Sequence, residues 1–292
     1  MSSLKARVLV AVVGIPFLLL VLGWAPDWAT MVLTAGMCAV GAWELMHAVA
    51  GKAGKPLLSL TVPAAALVPV CVYLEMSIEN AALTALPVLP LTGLLGAVLV
   101  LALFVVSIIR YGGERAVPFA ALTAAIFAGL VFPLMLSCLL RLRMAYGREG
   151  GEIVGRIMVF LPLCISFGSD TLAYFVGCTL GRHKLSPHVS PKKSVEGAVG
   201  GLIGGVLGAL LLTWIGAHII SDAFMGPREI LFFGLVGSVV SQIGDLSFSV
   251  IKREFGVKDY GHLLPGHGGI LDRFDSVTFV APFVWLALQM YR

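Results

Sequence analysis

The sequence predicts an all-α, polytopic integral membrane protein with about nine transmembrane helices. Three observations carry that prediction. Of 292 residues, 59% are hydrophobic and only 12% are charged, a balance that soluble domains do not show. The mean hydropathy is +0.98, and the apolar residues fall into runs close to the roughly 20 residues a helix needs to cross the hydrocarbon core. No connection between runs is long enough to fold alone: the longest are Arg141–Arg156, Gly181–Glu196 and Lys252–Arg273.

The first run, Val8–Trp24, follows Lys5 and Arg7. Gly23-Trp24-Ala25 resembles a small-x-small cleavage site, but Pro26 stands directly after it and disfavours cleavage. A retained first span is therefore expected. The next runs are Trp28–Val49, Leu57–Glu75, Leu86–Ile109 and Ala116–Leu140, with Pro87 and Pro90 leaving the start of the fourth span open. The last four are Ile157–Leu180, Gly197–Ile220, Glu229–Ile251 and Phe274–Tyr291. Residues 1–150 thus hold about five spans and no motif, and residues 151–292 hold about four spans with all the motifs.

Nine spans place the termini on opposite sides. Alternate connections carry fourteen Lys and Arg on one side, from Lys5 and Arg7 through to Lys258 and Arg273. The other side carries six: Arg141, Arg143, Arg148, Arg156, Arg228 and Arg292. The positive-inside rule assigns the richer side to the cytoplasm. The N-terminus and the stretch Ser241–Ser276 are then cytoplasmic and the C-terminus is outside.

Composition excludes several classes. The net charge of +4 comes from residues scattered between spans, with no basic block for nucleic acid. The five cysteines lie singly in apolar segments with no CxxC pair, which argues against a disulfide framework or a zinc site. There is no GxxxxGK[ST] phosphate loop, no HExxH and no GxSxG. Gly197, Gly201 and Gly205 form one four-residue ladder and Gly200, Gly204 and Gly208 another, as small-xxx-small packing faces do. Such faces serve contacts within or between chains, so a homodimer stays open.

Charge concentrates in three places. Asp245 lies inside the eighth span, where a carboxylate is costly unless paired, hydrated or bound to a cation. Ser249 and Lys252 follow at four and seven residues, on the same helical face. Gly266-His267-Gly268-Gly269 leads into Asp272, Arg273 and Asp275 at the start of the ninth span. Capping and the helix dipole account for one acid there, but not for the glycines, His267 and Arg273 beside it. Asp170 is a second intramembrane acid, in the sixth span, followed by the loop Ser190-Pro191-Lys192-Lys193-Ser194-Val195-Glu196. The deduced topology lets Asp170, Asp245 and Asp272 meet at the cytoplasmic interface, ringed by Lys and Arg. Hard oxygen donors beside cations suit Mg²⁺ with a phosphorylated substrate. Glu44 and His47, near the inner end of the second span, either line this site or sit at the interface.

These residues resemble the signature of the phosphatidate cytidylyltransferases, the CDP-diacylglycerol synthases. The resemblance rests on Ser249-x-x-Lys252-Arg253, Lys258-Asp259 and His267-Gly268-Gly269-x-x-Asp272-Arg273-x-Asp275. Asp170-Thr-x-Ala-Tyr-Phe and Ser190-Pro-x-Lys192-x-x-x-Glu196-Gly are similar to the family's second recurring block. The match spans about Ser169 to Asp275 and shows no departure at its charged positions.

The resemblance implies an integral membrane enzyme, in a bacterial cytoplasmic (inner) membrane, that transfers a cytidylyl group from CTP to phosphatidic acid. It implies Asp245, Lys252 and Asp272 as catalytic residues. It also implies Mg²⁺ on Asp245 and Asp272, with Asp275 and Asp170 as further ligands and room for a second metal or a monovalent cation. Lys252, Arg253, Lys258 and Arg273 would face phosphates, Ser249, Lys192, Lys193 and Ser194 would help position them, and His267 would contact phosphate. Two other readings compete: a CTP-dependent transferase acting on another lipid phosphate, and a cation-coupled transporter whose intramembrane acids form an ion path.

Overall fold

The computed structural model describes residues 3–80, 90–113, 116–145, 151–220, 225–263 and 268–290. Helices α1 (Ser3–Gly23) and α2 (Asp27–Val49) are joined by a tight turn at Pro26, whose fixed φ suits the entry to a helix. A short α3 (Gly51–Gly54) leads into α4 (Leu58–Asn80), which runs through Pro63 and Pro69 without a break. Neighbouring helices make such prolines tolerable within a membrane. Helix α5 (Leu91–Arg110) begins after Pro90, later than the fourth predicted run.

The fifth predicted run is one path made of several pieces. Helix α6 (Phe119–Ile126) passes through a π-helical turn, Phe127–Val131, into α7 (Phe132–Leu136) and then α8 (Cys138–Met144). Pro133 has no N–H to give the preceding turn, and the Ser137 hydroxyl takes up the Pro133 carbonyl at 2.6 Å. Pro162 has the same effect on the sixth run, which divides into α9 (Glu152–Met158) and α10 (Leu161–Leu180). Helices α11 (Val195–Ile220), α12 (Pro227–Glu254) and α13 (Leu271–Met290) complete the chain.

Seven helical segments among the described residues are long and apolar enough to cross a membrane. They coincide with the second to eighth predicted runs, and the first and ninth runs fall on α1 and α13. The chain is an integral membrane protein. Its lipid-facing surface is apolar: on α5, Leu94, Val98, Leu101, Val105 and Ile108 all point outward.

Between α10 and α11 the chain forms a hairpin that hydropathy did not disclose. Strand β1 (Lys184–Ser186) pairs antiparallel with β2 (Ser190–Ser194), with Lys184 opposite Ser194 and Ser186 opposite Ser190. In a two-stranded ribbon both strands are edges, which is where Pro191 can sit.

The glycine ladders of α11 are used within the chain. Gly200, Gly204 and Gly208 face α10 so closely that a methyl on any of them would overlap Val176, the Gly168 backbone or the Cys164 backbone respectively. Gly205 faces Gly234 and Ser238 of α12. Close backbone approach gives van der Waals contact where lipid tails leave no hydrophobic gain between helices. Hydroxyls add to it: Ser169 and Ser238 meet at 2.7 Å, and Ser238 donates to the Gly201 carbonyl at 2.8 Å. One core cluster gathers Cys38, Leu45 and Phe132 of the N-terminal half with Phe248, Leu271 and Val277 of the C-terminal half. The motif-free half is therefore packed directly against the motif-bearing helices.

Candidate active site

The site forms where α10, α12, α13 and the hairpin meet. On α12, Asp245, Ser249 and Lys252 share a face as their spacing requires, and the Ser249 hydroxyl approaches Asp245 Oδ1 at 3.4 Å. The face then divides. Asp245 forms an ion pair with Lys193 of β2, each side chain about a quarter exposed, at 26% and 28%. Lys252 turns the other way and pairs with Asp272 at 2.9 Å, where the two side chains are 11% and 3% exposed.

Asp272 organises the connection between α12 and α13. Its Oδ1 accepts Lys252 Nζ, and its Oδ2 accepts the backbone N–H of Tyr260 at 2.8 Å and of Gly269 at 3.0 Å. A carboxylate offers about four lone-pair sites, so one remains. Gly268 sits at φ +84°, a left-handed conformation that favours glycine, and a Cβ there would also press on Asp272. Tyr260 is buried beneath this turn. Its hydroxyl donates to the Phe248 carbonyl at 2.9 Å, its ring meets Phe248 edge-on at 6.0 Å, and Lys252 Nζ lies 5.4 Å from its centroid. Burial, then the charges of Asp272 and Asp275, push the Tyr260 phenol above its ordinary value of 10.0.

The N-terminus of α13 is capped from far away in the chain. Glu44 of α2 is 1% exposed and accepts the N–H of Ile270 at 3.1 Å and of Leu271 at 2.9 Å. A helix start leaves its first N–H groups without partners and carries partial positive charge, so a carboxylate there is favourable twice over. The spacing of the chain gave no hint of this contact. The one signal was an acid inside the apolar run Trp43-Glu44-Leu45. His47 is exposed and its ring Nδ1 meets the Trp43 carbonyl at 2.9 Å, within its own helix.

Asp170, Asp245 and Asp275 lie close enough to repel one another, with Lys193, Lys252 and Arg273 as the opposing cations. The Ser276 N–H donates to Asp275 Oδ1 at 2.7 Å. Asp275 is buried at 8% exposure, whereas Asp170 and Asp245 open onto a cavity of about 550 Å³. Lys184, Lys192 and Lys193 line the same cavity, together with Tyr174 and Gln242. Among the described residues no three His, Cys, Asp or Glu side chains are drawn together tightly enough to hold a metal ion.

The remaining candidates divide. Arg253 lies on the exposed end of α12 and its Nε donates to the Val189 carbonyl at 3.1 Å, tying that helix to the hairpin. Lys192 and Lys258 are exposed. Ser194 is buried, and its Oγ accepts the Gly197 N–H at 3.1 Å at the start of α11, so its hydroxyl serves the helix end. Glu196 holds the other end of the hairpin, accepting the N–H of Arg182 at 3.0 Å and the ring of His183 at 2.6 Å. His267 lies outside the described residues.

A cavity that joins lysines to carboxylates at one end of a helical bundle suits phosphate-bearing substrates. The comparisons with known proteins point the same way. The phosphatidate cytidylyltransferase of Bacillus subtilis (strain 168) is 36% identical over 137 residues, 47% of this chain and 49% of that protein. The protein of the same description from Rickettsia prowazekii (strain Madrid E) is 31% identical over 163 residues, 56% of this chain and 68% of its own. That from Haemophilus influenzae is 36% identical over 132 residues, 44% of each chain. The chain therefore spans about half to two thirds of the length of these curated relatives. The match to the cytidylyltransferase family runs from residue 5 to residue 291, taking in the acid-bearing helices and α2, whose Glu44 caps α13, and the chain belongs to that family.

Proposed function

We propose that this chain transfers a cytidylyl group from CTP to phosphatidic acid, giving CDP-diacylglycerol and pyrophosphate. The observation that carries the reading is the cavity in which Asp170 and Asp245 face Lys184, Lys192 and Lys193 at the end of the bundle. In the reaction a phosphate oxygen of phosphatidate attacks the α-phosphorus of CTP. The bond from that phosphorus to the bridging oxygen breaks, and pyrophosphate leaves with the electron pair. The nucleophile is already anionic, so no strong base is needed, and the protein's task is to position two phosphates and offset their charge.

The donor set fits Mg²⁺ in kind: hard carboxylate oxygens that repel one another and open onto the cavity. Asp245 and Asp170, with buried Asp275 behind them, would hold it, whereas Asp272, already accepting Lys252 and two loop amides away from the cavity, would not. When bound, the ion would supply Lewis-acid stabilisation of charge on the phosphates. Lys193 leaves Asp245 and turns to a CTP phosphate, while Lys252, held by Asp272, keeps a fixed place beside the cavity. Lys184 and Lys192 draw the triphosphate in. The positive-inside count supports an active site and an N-terminus in the cytoplasm of a bacterial inner membrane.

Purified protein given CTP, Mg²⁺ and phosphatidate in mixed micelles should release pyrophosphate, and Asp245→Asn should abolish the release. Running the assay with other lipid phosphates assigns the acceptor. Ion flux in vesicles without any pyrophosphate release from the wild type would sink the reading and favour transport.

A further inference from the structure

We infer that Glu44 is a positioning residue for cytidylyl transfer, acting through the α12–α13 connection; the inference rests on the activity proposed above. The geometry goes beyond a helix cap. Glu44 comes from α2, in the half of the chain with no motif, and reaches Ile270 and Leu271 across 226 and 227 residues. Gly261 and Gly269 close on its carboxylate from both sides, so tightly that a Cβ on either would overlap its oxygens. The same turn is held by Asp272 through the N–H groups of Tyr260 and Gly269. Two carboxylates thus grip one loop. Glu44 takes residues 270 and 271, and Asp272 takes residues 260 and 269.

Asp272 also fixes Lys252, and Asp275 lies one turn further along α13 beside Asp245 and Asp170. The N-terminus of α13 sets both positions at once. If it shifts, Lys252 and Asp275 move relative to Asp245, and small misplacements at a reacting centre cost rate steeply. Glu44 touches neither the cavity nor its lysines. Its effect on catalysis therefore passes through the loop, the helix start and the Asp272 carboxylate held there.

Glu44→Gln keeps the shape and replaces one acceptor oxygen with an NH₂ that faces an N–H donor. Amide hydrogen exchange at Ile270 and Leu271, followed in lipid nanodiscs, should speed up by about tenfold or more. The KM for CTP should rise by about tenfold and kcat should fall, while the thermal midpoint stays within a few degrees of wild type. Glu44→Asp, one methylene shorter with the charge kept, should recover part of both and serves if the Gln variant does not fold. A purely structural role would lower the active fraction and leave the KM for CTP unchanged, and that result overturns the inference. So does wild-type exchange at Ile270 and Leu271 in Glu44→Gln. Absence of turnover in the wild type would refute the proposed activity instead, with the exchange data still deciding whether Glu44 grips the loop.

Discussion

Asp272→Asn separates the carboxylate that holds the site together from the one that opens onto the cavity. Asp272 accepts three donors, and its side chain is 3% exposed. An asparagine has one acceptor oxygen, and its NH₂ group must face one of those donors. Lys252, at 11% exposure, loses its counter-charge. Removing one partner of a buried ion pair costs roughly 3–5 kcal/mol. The flexible stem of Lys252 lets its head move toward water, so the lower end, about 3 kcal/mol, is expected. Asp245 differs because its partner Lys193 is 28% exposed, and partly exposed pairs are worth about 0–1 kcal/mol. Asp245→Asn should therefore lose turnover and keep its stability, whereas Asp272→Asn should lose both. Unfolding by SDS titration in bicelles gives the free energies. A double-mutant cycle of Asp272→Asn with Lys252→Met should return a coupling of about 2 kcal/mol. Equal stability of the two Asn variants, or a coupling below about 0.5 kcal/mol, would refute the assignment.

Four further outcomes are expected. Tyr260→Phe removes the hydrogen bond to Phe248 and should cost about 1 kcal/mol. Because the folded phenol is held above its ordinary value of 10.0, its stabilisation is complete below that pH and is lost as pH rises past it. The stability difference between wild type and Tyr260→Phe should shrink above pH 10, read by unfolding at a series of pH values. Gly204→Ala forces a methyl onto the Gly168 backbone and should cost about 1–3 kcal/mol or abolish accumulation in the membrane. Gly36→Ala meets nothing within 4 Å and should be neutral or gain up to about 1 kcal/mol. Lys193→Gln should leave stability within about 1 kcal/mol of wild type and raise the KM for CTP in the pyrophosphate assay.

Hydropathy alone determined the membrane class, because every span must satisfy its backbone internally and so reads as a long apolar run. It also located the seven long helices to within about five residues, the largest differences falling at the end of α4, the start of α9 and the start of α5, where Pro87 and Pro90 blurred the boundary. The signature residues disclosed the family, and the single acids Asp170 and Asp245 stood out because charge inside a span is rare. The division of labour among those acids was not legible. Asp272 and Asp275 are three residues apart at one helix start, yet Asp272 accepts Lys252 and two loop amides while Asp275 is buried and accepts the Ser276 N–H. Nor could spacing show that Lys193 pairs with Asp245, since that contact depends on a hairpin whose polar residues carry no periodic signal. Glu44 is the extreme case. A sequence records which side chains are charged, but a cap supplied across 226 residues exists only once α2 and α13 pack together and bring the carboxylate to the open end of the helix.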